Sequence, residues 1–255
     1  MKSHFLRAEW NNLIMASYVV PKELLLPFIP HKTELDFFEE KTFVSLVGFM
    51  FLNTRILGFS VPHHINFEEV NLRFYVKYND HGKWKRGTVF IKEIVPRPVI
   101  SFFANLLYGE NYSTMKMKHF HIEKADEIET CYEWKYKNKW NKLVASSQKK
   151  SMPMRIDSEE EFITEHYWGY TKYNEYKTYE YEITHPRWEI FKVLSYTIDC
   201  DFSGIYGNEF SFLSDTVPAS VFMAKGSEVR IFHKKSLALR KSFHEIFCPA
   251  FECSA

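Results

Sequence analysis

The pattern of apolar and polar positions along the chain predicts a mainly β protein, and it is most informative in residues 67–76. The even positions from 70 to 76 are apolar, whereas the odd positions from 69 to 75 carry a carboxylate, an amide, a guanidinium and a phenol. Because strand side chains alternate between two faces, this segment is predicted to be a strand with one apolar and one polar face. The polar face consists of Glu69, Asn71, Arg73 and Tyr75.

Residues 89–97 are predicted to form the second strand of a hairpin. They are rich in β-branched and aromatic residues, and the turn-forming residues 79–82 lie between the two strands. In strict alternation Lys92 shares a face with large apolar side chains, where its amine must pair with a carboxylate or lose its proton. Lys92 is therefore the candidate nucleophile. The alternative is an ion pair with Glu69 or Glu93, or a side chain that extends to the rim.

The rest of the pattern predicts further strands and a few short helices. Proline near its start and glycine at its end favour a helix over residues 98–109, which we expect to cover one mouth of a sheet or barrel. A short helix is predicted after Pro21, and a helical turn at residues 157–161. Other strands are predicted at residues 10–20, 43–52 (with a buried helix as the alternative), 111–122, 132–140 (as a hairpin) and 179–183. A closing hairpin is predicted at residues 221–232, with Lys225 and Gly226 as its turn.

Size and composition predict one domain. The chain has 255 residues, and no linker, repeat or low-complexity tract divides it. We expect the domain to span residues 1–235 and residues 236–255 to form a peripheral tail. Aromatic residues make up 18% of the chain, which favours sheets or a barrel lined by rings over a helical bundle.

Charge and motif content exclude several classes of function. The 33 basic and 32 acidic residues leave a net charge of +1, so there is no broad positive field to attract nucleic acid. The first residues lack a signal-peptide pattern, and the most apolar segment, residues 43–52, is shorter than the ~20 residues that span a bilayer. We therefore expect a cytoplasmic protein without a nucleic-acid or membrane partner. No CxxC pair occurs, and His119 and His121 lack a third ligand, so neither metal nor cofactor is expected.

Several segments together resemble the YqjF-like family of uncharacterised bacterial proteins, over roughly residues 5–235. They are LD at 35–36, VSLVGF at 44–49, FEEVNLRFYV at 67–76, FIKEIVPR at 90–97 and EHYWGY at 165–170. The family is grouped with acetoacetate decarboxylase. The resemblance implies a single closed antiparallel β-barrel with short covering helices and an internal cavity, but a fold does not fix a function.

Acetoacetate decarboxylase uses a lysine of lowered pKa to form a Schiff base with its substrate. Its nucleophile belongs to an adjacent lysine pair, and the pairs present here, residues 149–150 and 234–235, lie in polar segments. The catalytic lysine of that enzyme is therefore not transferred to either pair. Lys92 is a candidate because of its own flanking residues, and its neighbour is Glu93 instead of a second lysine.

Two functions follow from these residues. The first is a lyase of decarboxylase or aldolase type that acts on a small carbonyl or keto-acid substrate, with Lys92 as nucleophile and Glu69 in proton transfer. The planar guanidinium of Arg73 would bind the substrate carboxylate, unless it forms a buried pair with Glu69. The substrate-binding set is completed by Asn71, Tyr75, His166 and Tyr167, the last two of which also suit a packed aromatic cluster. The second function is a non-catalytic binding protein for a small organic carboxylate. Homo-oligomerisation is left open.

Overall fold

A computed structural model describes residues 3–238, and its fold is built mainly from strands. The strands are β1 (His4–Val20), β2 (Glu34–Leu35), β3 (Thr42–Ile56), β4 (Phe67–Asp80), β5 (Lys83–Val95), β6 (Tyr112–Thr114), β7 (Lys116–Glu123), β8 (Glu127–Tyr136), β9 (Lys139–Pro153), β10 (Trp168–Asn174), β11 (Lys177–Thr184), β12 (Glu189–Asp199), β13 (Ser220–Phe232) and β14 (Lys235–Ala238). The α-helices are α1 (Lys22–Leu25), α2 (Pro98–Tyr108), α3 (Glu159–Thr164) and α4 (Phe202–Tyr206), and 3-10 turns span Leu26–Phe28 and Asn208–Ser214.

Seven strands close into a ring in the order β11, β10, β5, β4, β3, β1 and β13. The ring closes where Ile183 of β11 lies opposite Ile231 of β13. The predicted mainly β fold is confirmed, but the sheet is mixed, because β5 pairs in parallel with both β10 and β6. A purely antiparallel sheet is therefore the wrong prediction. Parallel neighbours need a long crossover, and residues 96–167 provide it here between β5 and β10.

The strands β12, β9, β8 and β7 continue from β13 and form a four-stranded wing. The wing packs against the outer face of the ring. At Gly48 of β3, a Cβ atom would lie 2.6 Å from Cδ2 of Tyr132 in β8, so the absence of a side chain lets the two layers approach.

The ring strands bury both of their faces. One apolar cluster includes Trp10, Phe49 and Ile183 from three ring strands. The other combines the opposite faces of ring strands with β8 and β9, so it lies outside the ring. Because Leu72 of β4 belongs to the outer cluster, alternation places the polar positions of β4 on the inner face. The predicted register of this strand is confirmed.

Helices close the ends of the ring. As predicted, α2 begins at a proline and ends before a glycine, Gly109, whose φ of 71° suits a left-handed helix cap. Its Ile100 and Tyr108 pack against the inner apolar cluster, as does Phe162 of α3. Within residues 3–238, no helix is both long and apolar enough to cross a membrane.

One prediction near the C-terminus is wrong. Residues 221–232 do not form a hairpin, because β13 is one strand that pairs with β1 throughout. Gly226 has a φ of 77° and lies so close to Trp10 that a Cβ would meet its carbonyl oxygen at 1.8 Å, so it bends the strand instead of reversing it. Of the segment predicted as a peripheral tail, residues 236–238 belong to β14, which pairs with β11, and the boundary of the domain stays a prediction. Residues 239–255 lie outside the described residues.

Candidate functional site

Arg73 is a buried cation on the inner face of β4. Its side chain forms no ion pair with a carboxylate among the described residues, and its Nε has no hydrogen-bond partner there. A terminal guanidinium nitrogen lies 4.0 Å from the sulfur of Met15, which is a weak acceptor. The alternative of a fixed pair with Glu69 is therefore not formed. A buried guanidinium without a counter-ion is suited to bind an anionic ligand.

A row of hydroxyl groups follows Arg73 across the inner face. The hydroxyl of Tyr75 donates a hydrogen bond of 2.7 Å to Oγ of Ser45, which lies 2.8 Å from Oγ of Ser17. These residues come from β4, β3 and β1, which are neighbours in the ring. The Cζ atom of Arg73 lies 5.8 Å from the centre of the Tyr75 ring. The guanidinium thus has an aromatic wall and a polar row beside it.

On the other side of Arg73, three glutamates form an acidic cluster that consists of Glu69, Glu93 and Glu110. Asn71 and Tyr112 donate hydrogen bonds of 2.9 and 3.0 Å to the two carboxylate oxygens of Glu69. Glu93 lies opposite Asn71 on β5, and its Oε2 has no partner among the described residues.

The third glutamate, Glu110, is hydrogen-bonded to residues of β10 and β11. Glu110, just after α2, accepts hydrogen bonds of 2.7 and 2.9 Å from Thr171 and Tyr181. Strands β4, β5, β10 and β11 therefore all contribute to the cluster.

Burial raises the pKa of each glutamate in the acidic cluster. Burial raises the pKa of Glu69 to about 7, although hydrogen bonds and the charge of Arg73 oppose the rise. Burial also raises the pKa of Glu93, together with the charges of Glu110 and Glu69, and it raises that of Glu110. A carboxyl group with a pKa near 7 can both donate and accept a proton at physiological pH. Glu69 is therefore equipped for general acid–base chemistry.

His166 packs against the same aromatic wall. Its ring centre lies 4.7 Å from that of Tyr75 and 5.1 Å from that of Phe162. Its Nε2 lies 3.1 Å from Oδ2 of Asp36, which also accepts a 2.6 Å hydrogen bond from Arg86. Burial lowers the pKa of His166 to about 4, so the imidazole is neutral near pH 7. The aromatic packing considered for His166 is thus present, together with a polar contact.

The structure does not bring Lys92 together with the polar face of β4. The pairing of β4 with β5 shifts by one residue between Leu72 and Arg73, so Lys92 lies opposite Leu72 and faces outward. Its amine donates a hydrogen bond to the carbonyl oxygen of Ile205, and burial lowers its pKa. The ion pair with Glu69 or with the neighbouring glutamate is not formed. Strict alternation fails here because a β-bulge places two residues opposite one.

Tyr167 lies to the side of this site. Its hydroxyl donates to Glu165, and its ring packs against that of His185 at 4.8 Å. The sequence-based prediction missed four groups of the acidic cluster region, namely Glu93, Glu110, Tyr112 and Tyr181. The register set by the hairpin turn would pair Asn71 with Lys92, and the β-bulge brings Glu93 to this position instead, so local alternation did not show it. The crossover after β5 positions Glu110 and Tyr112, and the pairing of β11 with β10 positions Tyr181; no local pattern shows either.

The fold defines the class: comparison with solved structures shows an acetoacetate decarboxylase-like fold. Acetoacetate decarboxylase from Legionella pneumophila has a TM-score of 0.62 at 14% identity, with 93% of this chain and 90% of that chain covered. The enduracididine biosynthesis enzyme MppR with bound HEPES buffer has a TM-score of 0.66 at 10% identity, over 93% of this chain and 89% of its own. MppR complexed with pyruvate gives a TM-score of 0.64 at 11% identity, with 93% and 92% covered. At such low identity these likenesses show the fold alone.

Within this class, the chain belongs to the DUF2071 family of uncharacterised conserved proteins, which matches residues 7–228. The uncharacterised protein YqjF of Bacillus subtilis (strain 168) is 30% identical over 187 residues, which cover 72% of this chain and 74% of that protein. The resemblance to YqjF-like proteins is confirmed.

Proposed function

We propose that the chain is an enzyme that binds a small oxo acid inside the ring, with its carboxylate on Arg73, and that Glu69 transfers a proton to or from the bound molecule. The observation that carries the proposal is the buried, unpaired guanidinium of Arg73 beside the acidic cluster. Removing a guanidinium from water is costly unless an anion or acceptor compensates it. A ligand carboxylate would supply that compensation and two acceptor oxygens in a matching plane.

The reaction class that fits Glu69 is proton transfer at the carbon next to a carbonyl group. As a carboxylate, Glu69 would take the proton from that carbon; the electron pair of the C–H bond would form a C=C bond, and the π electron pair of the carbonyl group would move onto its oxygen to give an enolate. The reverse step returns the proton. A carboxyl pKa of about 7 suits both directions near neutral pH. Asn71 and Tyr112 fix the orientation of the carboxylate by their hydrogen bonds.

The proposal does not use a Schiff base. No lysine is among the buried residues of the described chain, and Lys92, which we predicted as the nucleophile, faces outward. The solved relatives of the same fold include enzymes, and MppR is known in complex with pyruvate. This supports a small oxo acid as the kind of ligand that the fold can hold.

Ligand-dependent stabilisation tests the binding step. We expect pyruvate, 2-oxobutanoate or acetoacetate to raise the melting temperature of the wild type, since a ligand at 100-fold its Kd stabilises a protein by about 2.7 kcal/mol. Arg73→Gln should weaken binding at least about tenfold, because it removes a charge-assisted pair. Lys92→Gln is the matched control, since it removes a half-buried cation from the outer face of the same hairpin. Equal stabilisation of the wild type and Arg73→Gln would contradict the proposal.

A non-catalytic binding protein is the second candidate function, and the same observation at Arg73 supports it. The two candidates differ in what Glu69 does. A binding protein would retain its ligands in Glu69→Gln and would show no chemistry in either form.

A further inference from the structure

His166 has a polar atom that the proposed function leaves unused. The side chain of His166 is 1% exposed, and its Nδ1 has no hydrogen-bond partner among the described residues. A buried acceptor or donor without a partner is destabilising, and such atoms are rare in folded proteins, so this one calls for an explanation. The imidazole lies in the wall of the ring interior, because it packs on Tyr75 and Phe162 of the inner apolar cluster.

The contact of His166 with Asp36 fixes which ring nitrogen carries the proton. The carboxylate of Asp36 also accepts a hydrogen bond from Nε of Arg86 at 2.6 Å, and the hydrogen bonds from both partners hold its pKa low in spite of its burial. An ionised carboxylate only accepts hydrogen bonds. The Nε2 of His166 must therefore donate to it. In a neutral imidazole the other nitrogen is then an acceptor, so Nδ1 presents a lone pair.

The imidazole of His166 and the guanidinium of Arg73 both lie beside the aromatic ring of Tyr75. The Cζ atom of Arg73 is 5.8 Å from the centre of the Tyr75 ring, and the imidazole centre is 4.7 Å from it. One group is an unpaired donor with a positive charge, and the other is an unpaired neutral acceptor. A ligand that satisfies both must carry an anionic acceptor and, at some distance from it, a hydrogen-bond donor.

We propose that Nδ1 of His166 accepts a hydrogen bond from a hydroxyl group of the substrate, so that the substrate class is a hydroxylated small oxo acid. A carbonyl oxygen cannot satisfy Nδ1, because it has no proton to donate. The inference rests on the proposed function, since Arg73 is taken to hold the carboxylate. Asp36 and Arg86 are positioning residues in this arrangement, because they act only through the imidazole.

Matched pairs of acids that differ by one hydroxyl group test the inference. The pairs are 3-hydroxypyruvate with pyruvate and 4-hydroxy-2-oxobutanoate with 2-oxobutanoate, and the measurement is the Kd of each acid by calorimetry. For the wild type, we expect the hydroxylated member of at least one pair to bind about fivefold tighter or more. In His166→Phe, which keeps a ring but lacks the acceptor, that ratio should fall to about one. His166→Asn, which can place an amide oxygen at the position of Nδ1, should restore part of it.

A second measurement reports on the imidazole without any ligand. The ¹⁵N chemical shifts of His166 should show a neutral ring protonated at Nε2, and Asp36→Asn should shift the population towards the Nδ1-protonated form and lower the preference for the hydroxyl group. A loss of packing alone would not change the tautomer. Protonation at Nδ1 in the wild type would overturn the inference.

The results separate this inference from the proposed function. If the acids bind through Arg73 but show no preference for a hydroxyl group, the inference is wrong and the proposed function stands. If no acid of either kind binds the folded wild type, both are wrong.

Discussion

Glu93 is the residue at which the acidic cluster should affect stability most. It is 2% exposed, and burial, with the charges of Glu110 and Glu69, raises its pKa well above the ordinary 4.5. A carboxyl whose pKa is higher in the folded state gives its full stabilising contribution below the unfolded-state pKa, and this contribution is lost as pH rises through the folded-state pKa. The free energy of unfolding should therefore decline above pH 4.5 through the neutral range.

We expect Glu93→Gln to reduce this decline, because the amide stays neutral at every pH. The variant should be about 1–3 kcal/mol more stable than the wild type at pH 8, and this difference in the free energy of unfolding should be smaller at pH 5. Urea denaturation at both pH values measures the difference. Exposed Glu23→Gln serves as the control and should follow the wild type. A Glu93→Gln variant with the wild-type decline would contradict the assigned ionisation.

Gly169 is required by close packing inside the ring. A Cβ at this position would lie 2.1 Å from Cζ of Tyr181, the residue that donates to Glu110. We expect Gly169→Ala to lower the free energy of unfolding by about 1–3 kcal/mol, since overpacking displaces the aromatic ring of Tyr181. In a Tyr181→Leu background the same substitution should cost less, as measured by urea denaturation. An equal cost in both backgrounds would show that the contact is not the reason for the glycine.

At the scale of elements, local alternation predicts strands well but does not predict bulges. The alternation of β4 by itself placed Arg73 and Tyr75 on one face, and the inner cluster agrees. The register shift opposite Leu72 is a property of the strand pair, so the sequence of β5 alone could not show that Lys92 faces outward. The same reason explains the wrong hairpin at Gly226, where a turn-like dipeptide lies inside a continuous strand.

The outward position of Lys92 gives a chemical prediction. Borohydride treatment in the presence of pyruvate or acetoacetate should leave no adduct on Lys92, because its amine binds the carbonyl oxygen of Ile205 on the far side of the sheet from Arg73. Peptide mass mapping is the measurement. Lys92→Gln should retain turnover within about a factor of two of the wild type, because it makes no contact with the proposed site. A reduced adduct on Lys92 would restore the lysine mechanism that the sequence suggested.

At the scale of the whole molecule, closure of the ring of strands brings together residues that local sequence patterns do not connect. Glu69 and Glu110 lie far apart in the chain, and the crossover from β5 to β10 brings Tyr112 onto Glu69. A mainly β fold and the polar face of β4 follow from local patterns and from the family resemblance. The acidic cluster does not, because long-range closure involves contacts that no periodic pattern encodes. The span of the domain, residues 1–235, remains a prediction.

Helix α2 exposes apolar side chains on its outer side, and we expect them to form a contact between two copies of the chain. From Pro98 to Tyr108 the helix has no charged residue, and its exposed side chains include Phe102 and Leu106, which are 60% and 65% exposed. Val99, Phe103 and Leu107 of the same helix are also exposed, and exposed apolar patches mark interaction sites. An uncharged apolar face is complementary to itself, so we expect a second copy of the chain to cover it in a two-fold dimer.

Sedimentation at micromolar concentration tests this dimer. Leu106→Glu should convert the wild-type dimer to a monomer, whereas Ile156→Glu, at an exposed apolar residue away from α2, should not. A wild type that remains a monomer would contradict the dimer. Binding of that monomer to lipid vesicles would indicate a membrane surface as the occupant of this face instead.

The central claim is that Arg73 holds an oxo acid inside the ring so that Glu69 can move a proton. Its most direct test is the exchange of the C–H protons of pyruvate and 2-oxobutanoate with D₂O, followed by ¹H NMR at pH 7. We expect the wild type to accelerate exchange at least about 100-fold over buffer, Glu69→Gln and Arg73→Gln to lose this acceleration, and Lys92→Gln to keep it. Exchange at the buffer rate with bound acid, or wild-type exchange in Glu69→Gln, would contradict it.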